Sequence, residues 1–428
     1  MIKKISHHKD KIILLKLASL QVLINFFTNY LIVKKIGFSS ELDVYYVAMA
    51  VFGFLSTSIG WSISSVLTPI LIENREKRIE GYMFVSILFI VIPIFLFTLV
   101  SMPIWIKFIF HNFLQKVSYQ KIVFIQSMFL ITFAITSINI LFYAIFQEKN
   151  EYIKINFLNM IGAIIGFIFI YFTIDKFGIY SASLYQLVIQ IFLFFIMGIF
   201  TFKIIKINLK FRKEYFLLLW HRMKYIFFGS FYYRTDELIE RFIASYLTSG
   251  FLSLVAFVQR IYGAIITVLN TSIAGPTITK FSNLIKEKKF NEVKKTLYNY
   301  LFMLLIIDII IFSFVFFFGK DLFLYFFSDR IDKNLIDILF YVIVFLFAMV
   351  FGKTLGQILH NLLLSLKLEK EITIFDSITF TINILIKIVL SIYFGMIGLI
   401  SAIVIAEIIK NSAKYYLVIK NLRKIKCN

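Results

Sequence analysis

The sequence predicts an all-α integral membrane protein of about twelve transmembrane helices, built as two six-helix lobes related by a parallel internal repeat. Three observations predict it. First, 60% of the 428 residues are hydrophobic and the mean hydropathy is +0.88. A soluble domain of that length needs more polar surface, so lipid is the solvent. Second, apolar stretches long enough for a hydrocarbon core of roughly 30 Å fall at about 12–34, 44–72, 82–110, 121–147, 153–174, 179–202, 224–248, 252–279, 296–318, 335–365, 372–394 and 396–419. These runs are too long for barrel strands and do not alternate. Third, segment 37–79 resembles segment 250–289. Each starts Gly-Phe, becomes rich in Ser and Thr, and reaches a proline, Pro69 or Pro276. The copies run in the same direction, which implies an axis along the membrane normal.

Basic residues gather in alternate loops. Arg75, Lys77 and Arg78 lie between spans two and three, and Lys286, Lys288 and Lys289 between eight and nine. The opposite loops are short and poorer in Lys and Arg, so both termini are expected in the cytoplasm. The longest basic connection divides the chain into a lobe at 1–204, a linker at 205–223 and a lobe at 224–428. Its Phe211, Phe216, Leu217 and Trp220 read equally well as an amphipathic segment on the anionic membrane surface or as a solvated linker.

Polar residues inside the spans carry the functional information, because a charge at the bilayer centre costs at least about 2.5–3.5 kcal/mol. The first span places Gln21, Asn25 and Asn29 on one face, with Thr28 beside them. They suit interhelical hydrogen bonds or a cavity wall. The small residues of the second span, Ser56 to Thr68, suit close helix packing. Asp43 lies at its outer mouth, where an exposed end-cap is the plain reading. In the seventh span Arg234, Glu237 and Arg241 share a face, and Asp236 and Glu240 form an adjacent stripe. Five such charges must pair with each other or line a wet cavity. Arg260, with Gln259, lies in the eighth span with no acid on its own helix within reach, which suggests a phosphate or an acid on another helix. Lys353, Gln357 and His360 line one face of the tenth span; Asp376, Asn383 and Lys387 line one face of the eleventh. Lys353 and Asp376 are candidates to pair across helices. Asp308 and Glu407 stand as isolated acids in the ninth and twelfth spans.

Other classes have no support. The basic start lacks a following cleavage site, so no removed signal peptide is expected. Lone Cys427 and five scattered histidines give no metal site or cofactor. The net charge of +21 sits in loops between spans, which argues against a nucleic-acid partner. No phosphate loop or catalytic serine context appears, so an enzyme is not expected.

Residues 240 to 260 (ERFIASYLTSGFLSLVAFVQR) resemble the lipid-linked glycan flippases of the multidrug/oligosaccharidyl-lipid/polysaccharide exporter superfamily. Those proteins share an acid-Arg pair, an Ala-Ser, a Gly turn and an aromatic-Ala-x-Arg stretch. Gly37, Asp43, Ala48 and Ser65 to Pro69 are similar to the same pattern in the first half. The resemblance implies a bacterial inner-membrane flippase for an undecaprenyl-pyrophosphate-linked oligosaccharide, such as an O-antigen or other repeat unit of lipopolysaccharide or surface-polysaccharide biosynthesis. Arg260, Arg234, Arg241, Lys353, Gln357, Asn25 and Asn29 would bind the cargo. Asp43, Asp236, Glu237, Glu240 and Asp376 would hold a coupling ion or act in gating. Membrane lipids, H⁺ or Na⁺ and a polysaccharide polymerase complex are the further partners it implies. The motifs are similar to those of the lipid II flippase branch, which carries the substrate arginine onto Arg260 and the outer acid onto Asp43. Val22 and Thr28 stand where that branch has arginines, and twelve spans differ from its fourteen. Lipid II is therefore the alternative cargo, with drug/cation antiport a third reading.

Overall fold

The computed structural model describes residues 2–149, 151–366 and 368–427, and nearly all of them are helical. In chain order the helices are α1 (Ile2–Ile36), α2 (Ser40–Leu55), α3 (Trp61–Glu73), α4 (Glu80–Ile109), α5 (Tyr119–Glu148), α6 (Tyr152–Phe177) and α7 (Ile179–Ile205). Then follow α8 (Lys213–Ser245), α9 (Phe251–Leu269), α10 (Thr277–Lys286), α11 (Phe290–Phe327), α12 (Lys333–Ser365) and α13 (Glu369–Cys427). Among the described residues, ten helices are long and apolar enough to cross a membrane. Two physical facts link these ten to the expected twelve crossings. Charged and polar side chains keep α8 below the hydropathy of the others. And α13, at 59 residues, counts once although Gly395 breaks it with φ 56° and ψ −129°. At about 1.5 Å per residue its two limbs each suffice to cross. The protein is a multi-pass membrane protein.

The internal repeat is visible in backbone detail. Gly37 (φ 77°) and Gly250 (φ 82°) turn the chain before α2 and α9, in a left-handed conformation that side-chain-bearing residues rarely adopt. Each of these helices then passes into a π-helical turn, Ser56–Gly60 in one copy and Asn270–Ala274 in the other. Gly178 (φ 52°, ψ −125°) separates α6 from α7 as Gly395 separates the limbs of α13. A π-turn leaves a backbone carbonyl short of its helical partner, and in both copies a side chain from another helix bonds next to the proline that follows. Thr68 donates to Gln147 of α5 at 2.8 Å. Asn361 of α12 donates to the Ala274 carbonyl at 2.8 Å and reaches Thr277 at 3.1 Å. Broken membrane helices are tolerated where such partners exist.

The chain divides into two compact units, Met1–Ser245 and Tyr246–Asn428. The core of the first includes Ile63, Leu67 and Ile70 of α3, Met83 and Ile87 of α4, Phe133 and Leu141 of α5, and Met197 of α7. In the second, Leu297 and Leu304 of α11, Ile358 and Leu362 of α12, and Leu417 and Val418 of α13 pack together with Phe281. Large apolar side chains also cover the outside, among them Phe97 and Ile104 on α4 and Phe314 and Phe317 on α11. That is the surface expected when hydrocarbon replaces water.

The unit boundary lies beyond the sequence-derived boundary at 224, because α8 is anchored to the first unit along its length. Leu219 and Met223 are buried in that unit's core. Arg222 forms a two-pronged contact with Glu73, at 3.0 and 2.5 Å. Phe231 packs on Phe54 and Phe242 stacks on Phe108. The connection ahead of α8 is likewise tied down rather than free. Asn208 donates to the Arg78 carbonyl at 2.7 Å and accepts from Tyr82 at 3.2 Å. The Arg212 guanidinium lies over the Tyr82 ring, which stacks on Tyr215. A Cβ on Gly81 would collide with the Ile205 carbonyl, so only glycine lets α4 approach this strap. Gly81→Leu is accordingly expected to lower membrane abundance severalfold, measured by quantitative immunoblot, with Gly229→Ala, where a Cβ meets open space, as the neutral control.

Candidate functional site

The second unit contains a polar seam between α12 and α13. Gly352 and Gly356, one turn apart on α12, open a groove that side chains of α13 enter. A Cβ at Gly352 would lie 2.9 Å from Glu407 Cγ, and one at Gly356 would lie 2.5 Å from Asn411 Oδ1. This is the small-residue spacing that lets membrane helices close on one another. On α13, Glu407, Asn411 and Lys414 follow i, i+4, i+7 and are buried. Glu407 pairs with Lys353 at 3.2 Å. Asn411 donates to the Gly352 carbonyl at 2.8 Å and to Glu407 at 3.4 Å. Lys414 reaches back across the Gly395 break to Asp376 at 3.6 Å. On α12, Gln357 donates to Asn361 at 3.0 Å, and Asn361 serves the π-turn carbonyl already described. A connected chain of polar contacts therefore joins the broken helix α9–α10 to α12.

Of the two residues expected to pair, Lys353 meets Glu407 and Asp376 meets Lys414, both on the second limb of α13. The reason is geometric, because Gly352 and Gly356 draw that limb against α12 and bring Glu407 beside Lys353. Gln357 itself is exposed.

In the first unit the charges of α8 separate into two environments. Glu240 and Arg241 are buried, whereas Arg234 and Glu237 are exposed and Asp236 lies between. Arg241 and Glu237 approach to 3.9 Å, a long contact with one partner largely open. Its contribution is at the exposed-pair level of about 0–1 kcal/mol. Glu237→Ala should therefore leave membrane abundance near wild type, while Arg241→Ala lowers it; equal losses in the two variants would contradict this placement. On α1, Asn29 is buried and donates to the Asn25 carbonyl at 2.6 Å, and Asn25 is exposed. Asp43 is only 1% exposed, so it is not the solvated end-cap that its position at the mouth of the span suggested. The end-cap is Ser39, which accepts from the Leu42 N–H. Arg260 is half-buried on α9, just past the buried run Phe251–Val258.

The family model described as "Lipid II flippase MurJ" matches residues 32–428. The chain belongs to the MurJ family. A solved structure of lipid II flippase MurJ in an inward closed conformation is similar at 19% identity and TM-score 0.80, covering 97% of this chain and 90% of that one. An inward-facing multidrug resistance MATE family transporter of the MOP superfamily is similar at 13% identity and TM-score 0.75, covering 95% and 96%. An outward-facing one is similar at 12% identity and TM-score 0.66, covering 97% and 95%. These likenesses establish the fold. A search of curated proteins finds no match.

Within this MurJ-family chain the sequence reading missed Asn361, Asn411 and Lys414, and left Glu407 without a facing. Two signals were present. Gly352-Lys-Thr-Leu-Gly356 has the small-xxx-small form, and Glu407, Asn411 and Lys414 keep one helical face. Each becomes informative only once the two helices are known to touch.

Proposed function

We propose that the chain translocates an undecaprenyl-pyrophosphate-linked glycan across the bacterial inner membrane by alternating access, with both termini cytoplasmic. The observation that carries this reading is the family match over residues 32–428. The ionisable groups held at membrane depth on α8, α9, α12 and α13 support it, because such groups mark transport paths more often than packing. Arg260 leads the proposed cargo-binding set, whose other members are Arg234, Arg241, Lys353, Gln357, Asn25 and Asn29, since guanidinium groups match pyrophosphate oxygens two at a time. Asp43, Asp236, Glu237, Glu240 and Asp376 are the gating and ion-binding set, and H⁺ or Na⁺ bound there would bias the conformational equilibrium through differential affinity.

The cargo we favour is a surface-polysaccharide repeat unit such as O-antigen, handed on to a polymerase complex. Val22 and Thr28 at the positions of the lipid II branch's arginines support that choice. The family's own description favours lipid II as the second reading.

Arg260→Ala tests the site. It should abolish glycan export with protein abundance near wild type, and Arg260→Lys should restore part of it, less if two-pronged phosphate contact is required. Normal export in the alanine variant would remove Arg260 from the site. Reporter fusions after residues 78, 213 and 288 should read cytoplasmic, and those near 176 and 330 external.

A further inference from the structure

The second unit has a cleft of about 1120 Å³ between α11, α12 and the second limb of α13. Its walls include Phe302, Leu305, Ile408 and Tyr416, all exposed apolar or aromatic side chains. Asp308 lies in this cleft at the middle of α11, within the apolar candidate span Phe290–Arg330. Among the described residues Asp308 forms no ion pair. One of its carboxylate oxygens is fully buried and accepts no hydrogen bond; its polar neighbour is the Phe351 backbone.

The other acid of the cleft is already matched. Glu407 lines the same cleft but is paired with Lys353, and Lys414 is paired with Asp376. Lys410 stands near Glu407 and Lys414. Tyr298, Tyr415 and Tyr416 are the remaining titratable groups of the cleft, and Tyr298 hydrogen-bonds Tyr415. A second acceptor in the cleft, Asn411 Oδ1, belongs to a side chain only 7% exposed and also receives no hydrogen bond. The cleft thus holds two buried acceptor oxygens without hydrogen bonds, in walls that are mostly hydrocarbon. An ionised carboxylate at that depth with no cation beside it is costly, and a carboxyl group so placed takes up a proton instead.

We infer that Asp308 is a proton-binding site of the second unit, carrying a proton when the cleft is dry and releasing it when the cleft is wetted. Proton uptake then favours the arrangement in which α11, α12 and α13 close on one another, by differential affinity of the two arrangements for the proton. Its use to drive cargo movement rests on the flippase reading, whereas the proton site itself does not.

The test uses the full-length protein in lipid nanodiscs and a hydrophobic carbodiimide, which adds to protonated carboxyl groups in apolar surroundings, with the modified residue located by peptide mass spectrometry. Asp308 should be labelled at acidic pH, and labelling should fall about tenfold per pH unit above its midpoint. Replacing potassium by sodium at constant pH should change nothing, and Asp308→Asn should lose the label while keeping wild-type abundance. Labelling that ignores pH, or no label at Asp308 while other carboxyl groups react, would overturn the proposal. Protection by sodium would do so too, by making the bound species a metal cation. None of these outcomes depends on which cargo is moved, so failure here leaves the flippase reading to its own test.

Discussion

Gly356→Leu is expected to remove most of the protein from the membrane. At this position even a Cβ would stand 2.5 Å from Asn411 Oδ1, and leucine adds three further carbons to a gap already closed. Overpacking of a tight interface costs about 1–3 kcal/mol for a few extra carbons. Here it also dislodges Asn411 from the Gly352 carbonyl and Glu407 from Lys353. Domain stabilities are only about 5–15 kcal/mol, so a loss of several-fold or more in abundance follows. Combining Gly356→Ala with Asn411→Ala provides the check. The shortened side chain on α13 makes room for the added methyl, and the pair should be more abundant than Gly356→Ala alone. If the double variant is no better, Gly356 does not face Asn411.

The second large effect concerns the ion pair of the same seam. Glu407→Ala leaves Lys353 without the partner that α13 supplies and strips Asn411 of one acceptor. Breaking a buried pair by removing one partner costs about 3–5 kcal/mol. With Lys353 at 43% side-chain exposure the lower end applies. Removing both charges, as Lys353→Met with Glu407→Met, should recover most of the abundance, since an apolar pair of similar size is close to neutral. Export reports separately on Lys353 as a cargo residue. A double variant with restored abundance and no export assigns it that role, whereas restored export makes the pair purely structural.

Long apolar runs, the Gly-Phe starts and the two Ser/Thr-to-Pro segments were enough to read the helical membrane fold and its repeat from the sequence. Gly37 and Gly250 proved to be left-handed turns at matching places. The site was less legible. Helical spacing shows which residues share a face, but not which neighbour that face meets. So Lys353 was matched with Asp376 of the next span, whereas the structure brings Glu407 to it from more than fifty positions away. The same limit explains Asp43, whose position at a helix start suggested exposure although neighbouring helices bury it. It also explains α8, whose attachment to the first unit depends on Leu219, Met223 and Arg222, residues that looked like part of a linker.

The cargo is identified by mass spectrometry of polyprenyl lipids from cells depleted of this protein, with leaflet position read by an impermeant sugar-modifying reagent. An undecaprenyl-pyrophosphate-linked repeat-unit oligosaccharide should accumulate on the inner leaflet, and wild-type protein should clear it while Arg260→Ala does not. Accumulation of lipid II in its place would transfer the protein to the second cargo. Unchanged levels of every undecaprenyl-linked glycan would contradict the flippase reading itself.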